Sequence, residues 1–151
     1  MSSKEYEQYE RECEQIREEN DVLLDDFARS LAQKGLSEQT IRKHVENIDL
    51  YINTYLLYED AVPAREGAHA VAMFLGYWFI RKGGWSSPAA IRQNAASLKK
   101  FYGFLRARGE IEDDDLQDLA QTIKDRMGAW LATAERYDDP DITDSEDIWG
   151  A

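Results

Sequence analysis

The spacing of apolar side chains restricts the fold of this chain more than any other feature of its sequence. Ile41, Val45, Ile48, Ile52 and Tyr55 follow one another at intervals of four, three, four and three residues. These intervals place all five side chains on one face of an α-helix. The alternation of apolar and polar residues that marks a strand is not sustained anywhere, and no Asn-Gly or Asp-Gly hairpin turn occurs. The sequence therefore predicts an all-α fold.

Two long helices are predicted in the first third of the chain. Apolar residues at helical intervals run from Tyr6 to Leu31, with an interruption expected near Asn20-Asp21. Gly35 is placed to end this first helix, because glycine is the favoured residue just beyond a helix C-terminus. Ser37 then caps the second helix, which contains the apolar face described above.

Three further helices are predicted downstream. The third, at 64–82, is apolar on nearly every side and is expected to lie at the centre of the fold. The fourth begins after the N-cap Ser87, with Pro88 in its first position, and ends at Gly109. The fifth begins at 112–115, where four acidic residues favour the positive end of a helix dipole. We predict a compact, orthogonal bundle of four to five helices with an extended N-terminal helix.

Length and composition indicate one domain. A chain of 151 residues that is 43% hydrophobic can bury a continuous core. We divide it into an N-terminal helical extension (1–21), a helical core domain (22–136) and an acidic tail (137–151) that we expect to be disordered. No apolar run long enough to cross a membrane and no signal peptide is found, and Cys13 is the only cysteine. A cytoplasmic protein without a membrane partner is therefore expected.

Negative charge dominates the chain but is missing from its middle. The formal net charge is −12, yet residues 67–109 contain seven basic residues and no acidic one. Salt limits the reach of a surface charge to about 8 Å under physiological conditions. A local basic surface can therefore bind an anionic partner that the protein as a whole repels.

The fourth helix concentrates this positive charge in one stripe. Arg92, Lys99 and Arg106 are seven residues apart and share a face, with Ala96 and Gly103 between them. Small residues let a helix approach a phosphate backbone closely, while arginine and lysine reach the charges. The polar side chains of the same helix add hydrogen-bonding groups for bases or phosphates: Gln93, Asn94 and Ser97. The alternative role of the stripe is to balance the negative charge of the acidic first and fifth helices of the same protein.

No set of residues predicts a catalytic or metal site. His44 and His69 are far apart and have no cysteine or carboxylate at ligand spacing, and Cys13 has no neighbouring base. The acidic runs do not form a calcium-binding loop, and glycine-rich phosphate loops are absent. We expect no cofactor, no metal and no enzymatic activity.

Two segments of the chain resemble a known family. LLDDFARSLAQKGLSEQTIRKHVENIDLYINTYL (23–56) is similar to the opening of the N-terminal SAM-like, or core-binding, domain of tyrosine recombinases, the phage integrase family. Ser37, Thr40 and Ile41 match that family's S-x-x-T-I-x-x-Y pattern, and His44 stands at its last position. SSPAAIRQNAASLKKFYGFLRARGEI (86–111) resembles a later helix of the same domain. The similarity spans roughly residues 22–130.

The resemblance implies a SAM-like bundle whose second and fourth helices face duplex DNA. The DNA-binding residues it implies are Thr40, Arg42, Lys43, Ser86, Ser87, Arg92, Gln93, Lys99 and Arg106. The family's catalytic series of an arginine, a His-x-x-Arg motif and a nucleophilic tyrosine does not occur in these 151 residues. We therefore expect a non-catalytic DNA-binding module connected with DNA recombination or integration.

Other partners are compatible with the same sequence. The alternative function is a helical protein-interaction module that has lost DNA binding, with a recombinase or another protein as its partner. A homodimer through the first helix is a further hypothesis, because Tyr6, Tyr9, Cys13 and Ile16 extend its apolar spacing beyond the core domain. Whether Arg92, Lys99 and Arg106 are solvent-facing or ion-paired would discriminate between the two functions.

Overall fold

Five helices make up the computed structural model, which describes residues 2–82 and 87–138. In chain order they are α1 (Ser3–Gln33), α2 (Glu38–Asp49, continued by a π-helical segment Leu50–Tyr55), α3 (Val71–Met73, Phe74–Trp78 and Phe79–Lys82, the middle segment π-helical), α4 (Pro88–Ala107) and α5 (Asp113–Asp138). A 3-10 turn (Ala64–Glu66) lies between α2 and α3, and the two described ranges contain no strand. The all-α prediction is confirmed.

The first helix is continuous, so the interruption expected near Asn20-Asp21 is wrong. Asn20 is buried, and its side-chain amide donates to the carbonyl of Ile52 at 3.2 Å and to Oδ1 of Asn53 at 2.8 Å. A residue that commonly interrupts helices is here a hydrogen-bonded contact to the π-helical end of α2. The contact joins the middle of α1 to the domain.

The N-terminal part of α1 packs against the chain segment that follows α2. Cys13 and Ile16 are buried in a small apolar cluster with Leu57, and Tyr9 packs against the same cluster. The Tyr9 hydroxyl donates to the Leu57 carbonyl. Of the residues behind the homodimer hypothesis, only Tyr6 is exposed. The apolar stripe of α1 is therefore accounted for within one chain.

Four aromatic residues from α2, α3 and α4 form the centre of the main core. Tyr51 packs edge-on against Phe74 and Tyr102, with ring centroids 4.8 Å and 6.4 Å apart. Phe101 packs edge-on against Tyr102. The two buried tyrosine hydroxyls donate to backbone carbonyls of the segment before α3, Tyr51 to Gly67 at 2.6 Å and Tyr102 to Ala64 at 2.8 Å. These bonds hold that segment against the core while satisfying both hydroxyls.

Two expectations for the third helix are wrong. The helix begins at Val71 instead of residue 64, because residues 64–66 form a 3-10 turn held to the core by the tyrosine hydroxyls. It is also not buried on every side, since Met73 is 62% exposed and Tyr77 is 38% exposed. One aromatic face of α3 therefore lies at the surface.

The chain ends are only partly described. Residue 137, where we placed the start of the tail, still belongs to α5, which continues to Asp138. Residues 139–151, and with them the prediction of a disordered tail, lie outside the described residues. Within the described ranges, none of the helices has the length and apolar character needed to span a membrane.

Candidate nucleic-acid interface

The fourth helix separates an apolar buried face from a basic exposed face. Its N-terminus is capped by Ser87, whose Oγ accepts a hydrogen bond from the Ala90 amide at 3.1 Å. Its apolar residues at helical spacing are all buried: Ile91, Ala95, Leu98, Tyr102 and Leu105. This burial fixes the rotation of α4 and turns the basic stripe toward solvent.

Two residues of the stripe are free of ion pairs within the described ranges. Arg92 and Lys99 are exposed, and neither has a carboxylate within ion-pair distance among the residues that the structure describes. On the helix surface Ala96 lies between Arg92 and Lys99, and Gly103 lies between Lys99 and Arg106; a Cβ atom added to Gly103 would have no neighbour within 4 Å. The middle of this face is therefore open to a backbone or a phosphate group.

The third residue of the stripe is paired. Arg106 donates from Nε to Oδ1 of Asp113 in the first turn of α5. Nearby Arg108, which also lies over the Phe104 ring, pairs with Asp26 of α1 at 2.9 Å and with Glu110 at 2.9 Å. The positive charge at the C-terminal end of α4 is thus engaged with acidic groups of the protein itself.

The other edge of the exposed face meets α2. Ser97 is fully buried there, and its Oγ lies 2.7 Å from Nδ1 of His44 and 3.0 Å from Nδ2 of Asn47. Asn94 is also buried and donates to the Ala90 carbonyl at 2.9 Å. The expectation that Asn94 and Ser97 contact a nucleic acid is therefore wrong, because both side chains are used inside the protein.

Lys100 is a surface cation outside the predicted stripe. It is exposed, and burial together with the charge of Lys100 lowers the pKa of His44 below its ordinary value of 6.5. Helix geometry places Lys100 on the side of α4 where Ser97 meets α2, whereas the Arg106 ion pair marks the α5 edge. Lys100 follows Lys99 directly, so it does not belong to a series of residues spaced seven apart. A helical wheel that includes every polar residue of α4 would have placed it on the exposed face.

The remaining predicted residues fall into three groups. Gln93 is exposed on α4 on the same side as Lys100, and Lys43 and Thr40 are exposed on the side of α2 that carries His44 and Asn47. Arg42 is exposed but lies on the opposite side of α2, so the fold does not bring it to α4. Ser87 is half-buried and occupied as the N-cap, and Ser86 lies outside the described residues.

The basic face is defined by Arg92, Gln93, Lys99 and Lys100 of α4 together with Lys43 of α2. Among the described residues, no group of three or more histidine, cysteine, aspartate or glutamate side chains is placed to hold a metal ion. Comparisons of the chain with protein-family models, with curated proteins and with solved structures each found no match. The chemistry available to this surface is the binding of anionic groups.

Proposed function

We propose that the basic face binds the phosphate backbone of duplex DNA, as a non-catalytic module of the tyrosine-recombinase core-binding type. The observation that carries the proposal is the exposure of Arg92 and Lys99, with no carboxylate partner in the described part of the chain. A protein of net charge −12 has an excess of carboxylates with which to neutralise them. Cations left unpaired in such a protein are available to an external anion.

The shape of the face supports the same partner. Small residues occupy the middle of the exposed surface of α4 and lysines and arginine occupy its edges, so a phosphate backbone can approach the helix axis. Lys43 adds a cation from α2. Hydrogen bonds from His44 and Asn47 to Ser97 hold α2 beside α4. Contacts of this kind position a protein on DNA without reading sequence. Binding is therefore expected to be weak, salt-dependent and nearly independent of sequence.

Fluorescence anisotropy of a labelled random duplex, titrated with the full chain at several salt concentrations, tests the proposal. The logarithm of the binding constant should fall linearly with the logarithm of salt concentration. Arg92→Ala and Lys99→Ala should each reduce that slope by roughly one. Arg106→Ala should change it less, because Arg106 is already paired with Asp113.

Lys4→Ala is the matched control for this series. Lys4 is an exposed cation in the first turn of α1, roughly 30 Å along that helix from Asp26, where α1 meets α4. It should leave the salt slope unchanged while altering the net charge as much as Lys99→Ala does. Absence of binding by a folded, monodisperse sample at low salt would overturn the proposal, as would equal effects of Lys4→Ala and Lys99→Ala.

A second candidate function is protein interaction through the same fold, without DNA. Two observations favour it: Arg106 and Arg108 are consumed by acidic residues of the chain itself, and the protein as a whole repels DNA. On this alternative the unpaired cations dock an acidic protein surface. Failure of duplex DNA to bind at low salt, with a folded sample, is the result that would favour it.

A further inference from the structure

A cavity of about 550 Å³ opens between the end of α2 and the exposed face of α3, away from the basic face. Its wall is rich in aromatic side chains and also carries two acidic and two basic residues: Tyr55, Tyr58, Tyr77, Trp78, Glu59, Asp60, Arg81 and Lys82. Of the six exposed large apolar or aromatic side chains in the described ranges, three line it, namely Tyr58, Met73 and Tyr77. Such a concentration of exposed aromatic surface is typical of a binding site.

Three of the rings on the cavity wall pack against one another edge to face. The Tyr55 ring stands at 67° to the Trp78 indole with centroids 5.4 Å apart, and the Tyr58 ring stands at 71° to the same indole with centroids 6.3 Å apart. The two tyrosines therefore make walls that rise steeply from the indole plane. The faces of such rings are electron-rich and attract cations, whereas their edges are electron-poor.

The protein places its own cations on the rings of this cavity. The guanidinium carbon of Arg81 lies 5.6 Å from the Tyr77 ring centroid, and Nζ of Lys82 lies 5.5 Å from the Tyr58 ring centroid. Both distances are within the range of a cation–π interaction. The ring faces therefore bind cations within the protein itself.

Carboxylates line the same space. Glu59 and Asp60 lie on the cavity wall, and burial together with the charge of Glu59 raises the pKa of the Tyr55 hydroxyl. They offset the local charge of Arg81 and Lys82, so the charged side chains of the wall balance and the electron-rich ring faces decide which sign of ligand binds. A cationic ligand is favoured over an anionic one.

We propose that this cavity binds a small compound that carries a quaternary ammonium group. Three steeply inclined rings, two wall carboxylates and two bound side-chain cations are the observations that select this chemistry. A quaternary ammonium is large and weakly hydrated, so it loses little on leaving water and gains contact with several ring faces. The cavity volume suits a whole small molecule. The proposal does not depend on DNA binding.

Titration of the full chain with choline, followed by proton–nitrogen correlation NMR, tests this assignment. The control ligand is 3,3-dimethyl-1-butanol, which has the shape of choline with a neutral carbon in place of the nitrogen. Choline should shift the amide signals of residues that line the cavity and bind about tenfold more tightly than the neutral compound. Equal binding of the two compounds, or no shift with choline, would overturn the proposal.

Single substitutions separate a cation site from an anion site. Tyr58→Leu removes one wall and should weaken choline binding by about tenfold, whereas Tyr6→Leu, at a tyrosine of similar exposure outside the cavity, should not. Lys82→Gln removes the cation that now occupies the Tyr58 ring, so it should strengthen choline binding. Weaker binding in Lys82→Gln would show that the cavity anchors an anion and would overturn the proposal. Both cavity positions are exposed, and circular dichroism checks that each variant folds.

Discussion

The Oγ atom of Ser97 on α4 lies 2.7 Å from Nδ1 of His44 on α2, and this serine hydroxyl is fully hydrogen bonded. Its single proton is donated to the Gln93 carbonyl at 3.0 Å, and it accepts from Nδ2 of Asn47 at 3.0 Å. Since the hydroxyl has no second proton, the hydrogen bond to His44 requires a proton on Nδ1. The network holds α2 against α4 directly beneath the basic face.

Replacement of Ser97 by alanine should lower the free energy of unfolding by about 1–2 kcal/mol, because His44 and Asn47 lose a shared acceptor. Urea unfolding measures this as a lower midpoint at an unchanged m-value. Ser30→Ala is the matched control, because the Ser30 hydroxyl donates only to the Phe27 carbonyl of its own helix. A loss no larger in Ser97→Ala than in Ser30→Ala would show that the bonds between helices contribute nothing.

Gly76 should not tolerate a side chain, although it lies in a helix. A Cβ atom added there would be 2.5 Å from Nε1 and 2.7 Å from Cδ1 of Trp130, a buried residue of α5. Gly76→Ala should therefore lower the free energy of unfolding by about 1–3 kcal/mol, since α3 and α5 must move apart. Thermal and urea unfolding measure the change.

Gly128→Ala is the matched control for Gly76→Ala and should have the opposite effect on stability. Gly128 is an exposed residue of α5, and an added Cβ atom would have no neighbour within 4 Å. The substitution should raise the free energy of unfolding by about 0.5–1 kcal/mol through helix propensity alone. Stabilisation of similar size at both glycines would contradict the close approach of α3 to Trp130.

His69 should make stability depend on pH. Its Nδ1 lies 2.8 Å from Oδ2 of Asp118 and its Nε2 lies 2.9 Å from Oδ1 of Asp115. Hydrogen bonds to Asp115 and Asp118 raise the pKa of His69 above its ordinary 6.5. A raised pKa in the folded state stabilises the protein below that ordinary value, and the contribution is lost as pH rises through the folded-state pKa. His69→Gln should thus lower the Tm more at about pH 5.5 than at about pH 8.5.

His44 should show the reverse dependence. Burial and the neighbouring Lys100 lower its pKa, so its contribution to stability is present above pH 6.5 and is lost as pH falls through the folded-state pKa. His44→Gln should accordingly cost more at the higher pH. The same trend in both variants would show that the pH dependence arises from other groups.

Local signals in the sequence predicted where most helices begin and end. Ser37 and Ser87 accept the amide hydrogen bonds expected of N-caps, from Thr40 and Ala90, and Gly35 adopts the positive φ of a C-terminal glycine. The π-helical segments of α2 and α3 were not predictable, because 3.6-residue periodicity does not distinguish them from α-helix. The segment before α3 is held by the hydroxyls of Tyr51 and Tyr102, which lie more than 15 residues before and after their partners in the chain, so local signals could not predict where α3 starts.

The candidate site was only partly predictable for the same reason. A helical wheel groups Arg92 and Lys99 on one face, and burial of Leu98 and Tyr102 fixes the rotation of α4 that exposes both residues. It could not show that α2 packs over Ser97 or that Asp113 reaches Arg106, since both depend on how helices meet. Whether a side chain at the edge of a helix face is exposed, buried or ion-paired depends on the helix that packs beside it.

Leu57 should control access to Cys13. Cys13 is only 2% exposed because it packs with Ile16 against Leu57. Leu57→Ala leaves a gap at this contact, so the N-terminal part of α1 should open more often and Cys13 should react with a thiol reagent about tenfold faster or more. The reaction rate of Cys13 is measured in native buffer at two protein concentrations. The control is Val22→Ala, at an exposed position of α1, which should leave this rate unchanged. A rate that falls with increasing protein concentration would instead indicate that a second copy of the chain covers α1.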